Sequence, residues 1–355
     1  MATRRRVAVL FGGRSGEHEV SLRSAESVAS GLAQHHEVSC VLIDREGRWL
    51  LQAGPRPAPS GGEPVFMVPS PADSGRLRRL ADGVEIARPE VFCPVLHGPY
   101  GEDGSVQGLF ELAAVPYVGA GVAASASSMD KTVMKALFAQ AGLPQVRHRV
   151  LLGRNRAAEE RIVDELGLPL FVKPANLGSS VAVARVEVGE TLGSALDVAF
   201  QYDRKVVVEE GVDAREIEVA VLGNDEPEAS GIGEIVPDRE FYDYDSKYAA
   251  DSRTELLIPA PVDASVTEEI RRLGVAAFRA VDACGLARVD FFVERAGGRV
   301  LVNEINTMPG FTSISMYPRL WEASGLAMDA VLDRLVTLAL ERHSARARLR
   351  TRYGG

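Results

Sequence analysis

Apolar residues fall in short runs that alternate with helical spacing and with Gly- or Pro-containing turns. Val7 to Phe11 predicts a strand, and Gly12-Gly13-Arg14-Ser15-Gly16 predicts a turn after it. Val20, Ala25, Val28, Ala29 and Leu32 recur at helical spacing, and Val38 to Ile43 predicts the next strand. Such a βαβ opening predicts a parallel sheet. Ala53 to Pro64 is dense in Pro and Gly and reads as a surface connection within a Pro/Gly-rich region spanning residues 50–90. Val91 to Leu96 predicts a strand ending at His97-Gly98, and Glu102-Asp103-Gly104 precedes a helix through Leu112. Ser128 predicts a helix N-cap, with Met129, Val133, Leu137 and Ala141 on one face and Gly142 and Pro144 ending the helix. Further strands are expected at Leu170 to Lys173, Val206 to Glu209 and Glu216 to Val221, and further helices at Ala195–Phe200, Thr267–Cys284 and Met328–Arg342. The pattern is α/β, and Arg346 to Gly355 reads as a basic, frayed tail.

A chain of 355 residues is too long for one ordinary domain. Its net charge of −9, without a long basic block, argues against nucleic acid or an anionic membrane as partner. No apolar run reaches a membrane span, and the basic start is followed by an apolar stretch broken at Gly12-Gly13, too short for a signal-peptide core. Cys40, Cys93 and Cys284 have apolar flanks and read as buried free thiols. These features predict a cytoplasmic, multi-domain enzyme.

Val289 to Glu294 and Arg299 to Asn306 are strand-like, with Ala296-Gly297-Gly298 between them. A three-residue loop pairs Arg295 with Arg299 and sets Asp290 opposite Glu304; period two adds Arg288 and Asn306 to the same face. Facing carboxylates repel, and a divalent cation reverses that cost. Asp, Glu and Asn offer hard oxygens suited to Mg²⁺ or Mn²⁺. A one-residue slip in register would separate the pair. Elsewhere, Lys173 precedes Ala175-Asn176-Leu177-Gly178-Ser179-Ser180, a small-residue loop that can cradle phosphate although it is not a P-loop. Lys131 sits in a helix's first turn, where the dipole disfavours a cation; a nearby anion would explain the placement, but on this placement alone it reads as an exposed lysine. Gly12-Gly13-x-x-Gly16 lacks the G-x-G-x-x-G spacing, so a nicotinamide site is not expected.

In chain order, these segments resemble the D-alanine–D-alanine ligases of the ATP-grasp superfamily: Phe11 to Ser21, Leu96 to Gly104, Ser128-Met129-Asp130-Lys131, Val172-Lys173-Pro174, Leu177 to Val181, Phe241 to Tyr248, Arg288-Val289-Asp290 and Asn303 to Gly310. The resemblance implies an ATP-grasp fold with an N-terminal Rossmann-like substrate domain (residues 1–128), a central domain (129–222) and a C-terminal domain with metal site and lid loop (223–355). It implies ATP, two Mg²⁺ (or Mn²⁺), two D-alanines, an acyl-phosphate intermediate, a D-alanyl-D-alanine product for peptidoglycan synthesis, and a homodimer.

By the same resemblance, Asp290, Glu304 and Asn306 hold the metals, and Lys131, Lys173 and Lys247 contact phosphates. Glu209 and the backbone near Val212 meet adenine, and Glu216 meets the ribose. Arg288 and the Gly310 N–H stabilise the oxyanion. Glu17 holds the first ammonium, His97 lies near the first substrate, and Ser315 binds the second carboxylate. Ser179, Tyr248 and Glu17 form a hydrogen-bonded set, and residues 240–251, with Tyr242 and Tyr244, form a lid. Tyr248 favours an amine over D-lactate as second substrate. The chain departs from many relatives at Glu210-Gly211, where they carry a lysine and a bulky residue. Two rivals are a ligase for another pair, such as D-alanine and D-lactate, and a non-catalytic ATP-binding regulator lacking part of the metal or arginine set.

Overall fold

A computed structural model describes residues 3–178, 181–237 and 254–350. Its strands fall into three sheets. The first holds β1 (Arg6–Gly12), β2 (Glu37–Ile43), β3 (Trp49–Leu51), β4 (Glu63–Met67), β5 (Leu77–Arg79), β6 (Glu85–Ala87) and β7 (Val91–Val95), in spatial order β6-β5-β4-β3-β2-β1-β7. β1 pairs with β2 and β7 in parallel, across helix α1 (His18–Leu32), so the predicted βαβ unit is present. The Pro/Gly-rich region departs from expectation. It is not merely a connection, because β3 to β6 run antiparallel through it and bury Val65, Met67 and Leu77. Strands of three to five residues leave too little alternation to be read from sequence.

After α2 (Ser105–Ala113) and α3 (Val122–Met129), helix α4 (Lys131–Gln140) leads to the second sheet. The α4 cap is Asp130, not Ser128: its carboxylate accepts from the Thr132 and Val133 N–H groups. Ser128 lies inside α3, which the sequence pattern merges with α4. The buried face of α4 is Met134, Lys135 and Phe138, while Val133 is exposed. The second sheet comprises β8 (His148–Leu151), β9 (Leu170–Pro174), β10 (Ala184–Val186) and β11 (Val206–Glu210), backed by α5 (Arg156–Leu166) and α6 (Leu192–Tyr202).

The third sheet is antiparallel, ordered β14-β13-β12-β15-β16 from β12 (Ala214–Gly223), β13 (Glu228–Val236), β14 (Glu255–Leu257), β15 (Gly285–Glu294) and β16 (Val300–Asn306). β12 lies at its centre although the expected domain boundary follows residue 222. Helix α7 (Ala264–Ala280) packs on it through Ile270, Leu273, Ala277 and Phe278, starting and ending a few residues earlier than expected. Helices α8 (Met316–Ala323) and α9 (Met328–Ala347) close the chain, and α9 continues past the expected end at Arg342. Among the described residues no helix is long and apolar enough to cross a membrane. All three cysteines are free; burial pushes the Cys40 and Cys93 thiols up to about 12, whereas Cys284 is only half-buried, beside Arg342.

Helix α1 packs on α9 through Ala25, Val28, Ala29 and Leu32 against Leu332, Leu335, Val336 and Ala339, joining the first sheet's layer to the third. At the rim His35 Nε2 lies 3.0 Å from Asp329 and His36 Nε2 lies 3.2 Å from Asp333. The Arg5 N–H donates to His36 Nδ1 at 3.4 Å, which leaves the proton on Nε2, facing Asp333. Burial holds the His36 imidazole below its usual value; Asp333 opposes this, and His35 and Arg4 add to it. Burial lowers His148 and His343 likewise. The unfolded chain takes up these protons near pH ~6.5 while the native one refuses them, so stability falls as pH drops through that value. His97, held above its usual value, works in the opposite sense. The melting temperature is expected to decline from about pH 7.5 to 5.5, and less steeply in His36→Gln. Equal slopes in the two proteins would remove His36 from the account.

Candidate active site

The β15–β16 hairpin places Asp290 opposite Glu304 and Arg288 opposite Asn306, as expected, by a route that was not expected. The turn is closed one residue earlier: Glu294 N–H donates to Arg299 O, and its carboxylate meets the Arg299 guanidinium. Arg295 instead donates its N–H to Asp213 O. From there Val293 faces Val300 and Phe291 faces Val302, the slipped register. A β-bulge then inserts Asn303 opposite the Asp290–Phe291 step and shifts the pairing back by one. The two offsets cancel, and the carboxylates meet.

β12 adds to this face. Its Ile217, Val219 and Val221 point into the core, so Glu216 and Glu218 point the other way. Glu218 pairs across strands with Asp290 and is 4% exposed. Arg288 lies between two carboxylates: Nε and Nη2 donate to the two Asp290 oxygens at 2.7 Å each, and Nε lies 3.1 Å from Glu218 Oε2. Burial works against the guanidinium charge, but Asp290, Glu218 and Glu304 outweigh it and hold its pKa well above the usual value.

Across from this face stand the lysines of α4 and β9. Lys131 Nζ donates to Leu177 O at 2.6 Å, in the small-residue loop after β9. Burial lowers its pKa, with Glu304 opposing and Lys173 assisting. Lys173 Nζ lies 2.6 Å from Glu209 Oε2, and Lys135 Nζ lies 2.8 Å from Glu209 Oε1. Burial disfavours the Glu209 carboxylate, yet Lys135 and Lys173 drive its pKa far below the carboxylate range. Glu209, expected at adenine, thus has an ammonium group on each oxygen. Val212 and Glu216 are half-buried, and Glu216 acts electrostatically on Lys173. Gly211 suits its place: a Cβ there would fall 2.8 Å from Pro169 Cγ and 2.9 Å from Pro169 O, so a bulky residue does not fit this backbone. Glu210 is engaged by Arg147 through its N–H and its guanidinium.

A third group lies where the carboxyl ends of β1 and β7 meet the loop after β16. His97 Nδ1 is 3.1 Å from Met308 O and 3.4 Å from Glu102 Oε1, and Nε2 is 3.2 Å from Ser24 Oγ. Ser24 Oγ also accepts from the Phe311 N–H. Burial works against the His97 charge; Glu102 and then Glu17 outweigh it and raise its pKa. Glu17 Oε2 lies 2.7 Å from where a Cβ on Gly98 would stand, at φ +76°, so only glycine fits there; the corresponding point on Gly178 is 3.5 Å away. Glu17 therefore lies between the His97 loop and the small-residue loop. Ser315 Oγ accepts from the Thr312 N–H at 3.0 Å and lies 3.0 Å from a Cβ position on Gly310, so these two expected residues adjoin.

Ser179, Lys247 and Tyr248, together with Tyr242, Tyr244 and the lid at residues 240–251, lie outside the described residues. Four residues of the site escaped the sequence reading. Glu218 was legible from the alternation of β12, but Lys135 was hidden because the Val133–Leu137 stripe is not the buried face of α4. Ser24 has contacts too distant in sequence to infer, and Glu102, five residues after His97, meets it across a loop whose pattern does not mark the pair.

The donor set fits a hard divalent cation. Asp290 and Glu304 are cross-strand neighbours, and Asn306 Oδ1 accepts from Met308 N–H at 2.9 Å, which leaves a second lone pair. Among the described residues no group of three His, Cys, Asp or Glu side chains is placed to hold a metal ion, and the Asn306 amide oxygen is the further oxygen donor on the face of Asp290 and Glu304. Glu218 gives Arg288 a second carboxylate, so Asp290 can serve a cation without leaving the guanidinium unpaired.

A sequence-family model described as D-ala D-ala ligase N-terminus matches residues 6–120, and one described as D-ala D-ala ligase C-terminus matches residues 137–337. The chain is 51% identical to the D-alanine–D-alanine ligase of Heliobacterium modesticaldum, covering 96% of each chain. It is 48% identical to that of Thermoanaerobacter pseudethanolicus, covering 97% of this chain and 99% of that one. Among solved structures, the D-alanine-D-alanine ligase from Coxiella burnetii superposes with a TM-score of 0.84 at 37% identity, covering 97% of both chains. The VanG D-Ala:D-Ser ligase from Enterococcus faecalis superposes with a TM-score of 0.85 at 32% identity, covering 95% of this chain and 100% of that one.

Proposed function

The chain belongs to the D-alanine–D-alanine ligase family, and from that membership we propose that it uses ATP to join two D-alanines into D-alanyl-D-alanine for peptidoglycan precursors. Its fold is the α/β ATP-grasp architecture of its structural neighbours. The observation that carries the reading is the convergence of Arg288, Asp290, Glu304 and Asn306 on one sheet face, with Glu304 acting electrostatically on both Lys131 and Lys173.

A carboxylate and an amine do not condense unaided in water, so one oxygen must first become a leaving group. The first D-alanine's carboxylate takes the γ-phosphoryl of ATP, releasing ADP. The deprotonated amine of the second attacks the acyl carbon, the bond to phosphate breaks, and phosphate leaves. The protein's part is charge stabilisation and placement. Lys131 and Lys173 face the phosphates. Asp290, Glu304 and Asn306 would hold two Mg²⁺ (or Mn²⁺) ions, which neutralise phosphate charge when bound. Arg288 and the Gly310 N–H meet the oxyanion as the amine attacks. Glu17 receives the first ammonium, with His97 beside it, and Ser315 receives the second carboxylate. Lys247, Ser179 and Tyr248 keep the phosphate and substrate roles that the resemblance implies, as does the homodimer.

The test is phosphate release with ATP, Mg²⁺ and D-alanine, with the product identified by mass. Parallel arms contain L-alanine alone, D-alanine with D-lactate, and D-alanine with D-serine; the last is included because a D-Ala:D-Ser ligase shares the fold. D-alanine alone is expected to release phosphate and yield the dipeptide, and L-alanine alone to yield neither. Preference for a D-lactate or D-serine product would overturn the second substrate, and no phosphate release in any arm would overturn the ligase reading.

A further inference from the structure

Lys135 has no part in the roles above, yet it is among the most deeply buried charged side chains of the described residues, at 1% exposure. It lies one helical turn after Lys131 on α4. Its Nζ is 2.8 Å from Glu209 Oε1, and Lys173 Nζ is 2.6 Å from Glu209 Oε2. Two ammonium groups from α4 and β9 thus share one carboxylate from β11. A buried ion pair needs only one cation per anion, and each further buried charge carries a desolvation cost. A second lysine is costly for stability alone, but it has a clear consequence for charge. Lys173 with Glu209 would be neutral, and Lys173 would be held by its counter-ion. With Lys135 added, the cluster carries one net positive charge.

We propose that Lys135 is a positioning residue for the nucleotide phosphates. It is the standing counter-ion of Glu209 and so allows Lys173 to face an anion without leaving a bare carboxylate in the interior. This inference rests on the nucleotide-binding reading above. It also changes the part given to Glu209, from adenine contact to counter-ion of two lysines.

The experiment measures the Kd of Mg·ADP and of adenosine by calorimetry, with circular dichroism to check folding. Wild type is compared with Lys135→Met, Glu209→Gln and the double variant. Lys135→Met makes the cluster neutral and is expected to weaken ADP about tenfold or more, as loss of a unit charge near the phosphates requires, with adenosine unchanged. The double variant restores one net positive charge and is expected to recover ADP affinity. Glu209→Gln alone raises the charge and is expected to bind ADP at least as well as wild type, which tests the idea even if Lys135→Met fails to fold.

Wild-type ADP affinity in a folded Lys135→Met would overturn the proposal. So would an equal loss for adenosine, which marks a merely structural role. A double variant weaker than Lys135→Met would also overturn it, because Glu209 would then touch the nucleotide itself. A wild-type protein that binds no ADP would instead overturn the nucleotide reading on which the proposal rests.

Discussion

Arg288→Ala is expected to lower kcat by about 10²- to 10³-fold, the usual cost of removing one oxyanion donor. The structure adds a second consequence. Arg288 stands between Asp290 and Glu218, with Glu304 across the strand from Asp290. Alanine would leave these carboxylates facing one another, and removing one partner of a largely buried pair costs about 3 kcal/mol or more. The variant should therefore melt earlier, and added Mg²⁺ should recover more of its stability than in wild type, because a cation replaces the lost charge. Arg288→Lys separates the two effects. Lysine keeps the charge and much of the stability but lacks the planar fork that binds Asp290 through two nitrogens. Its kcat should still fall steeply. If Arg288→Lys turned over like wild type, a diffuse positive charge would suffice and the directed oxyanion contact would be wrong.

The same hairpin shows what was legible in the sequence. Residue types and period two placed Arg288, Asp290, Glu304 and Asn306 on one face, and the structure has them there. The pairing that led to this expectation, Arg295 with Arg299, does not exist. The expected face survived because the bulge at Asn303 undoes the earlier closure of the turn. A bulge depends on which backbone groups find partners across the sheet, and the side-chain pattern does not record that. Strand alternation was otherwise a good guide: it gave the core face of β12, and the same alternation, followed to the opposite face, leads to Glu218, which the sequence reading passed over.

Helix α4 shows the opposite case. Its apolar residues fit more than one stripe, and taking Ser128 as the cap selected Met129, Val133 and Leu137. The buried stripe is Met134, Lys135 and Phe138. A lysine at a core position is discounted by any hydrophobicity argument, and its partner Glu209 lies on a strand more than seventy residues away. Buried charges that pair over long sequence separations are where pattern reading runs out, and at this site they sit beside the lysines assigned to phosphate. The His97 and Ser24 contacts with Met308 and Phe311 are as distant in sequence: they depend on how the first sheet meets the loop after β16.

Asp290→Asn tests the metal assignment by sign as well as size. Without a divalent ion, Asp290 is a negative charge beside the phosphate site, and removing it should tighten ADP binding in the presence of a chelator. With Mg²⁺ present the same change removes a ligand and should weaken ADP. Loss of groups that merely orient metal ligands costs about 10–100-fold in metal affinity, and loss of a ligand should cost at least as much. The fold should tolerate the substitution, since asparagine nearly matches the aspartate's shape and Glu218 stays within 3.1 Å of Arg288 to balance its charge. A carboxylate that only repelled phosphate would change ADP affinity in one direction under both conditions. The reversal between chelator and Mg²⁺, read from ADP titrations, is the result expected of the proposed metal site on β15 and β16. Tighter binding in both would remove Asp290 from the metal site and leave it as the guanidinium's counter-ion.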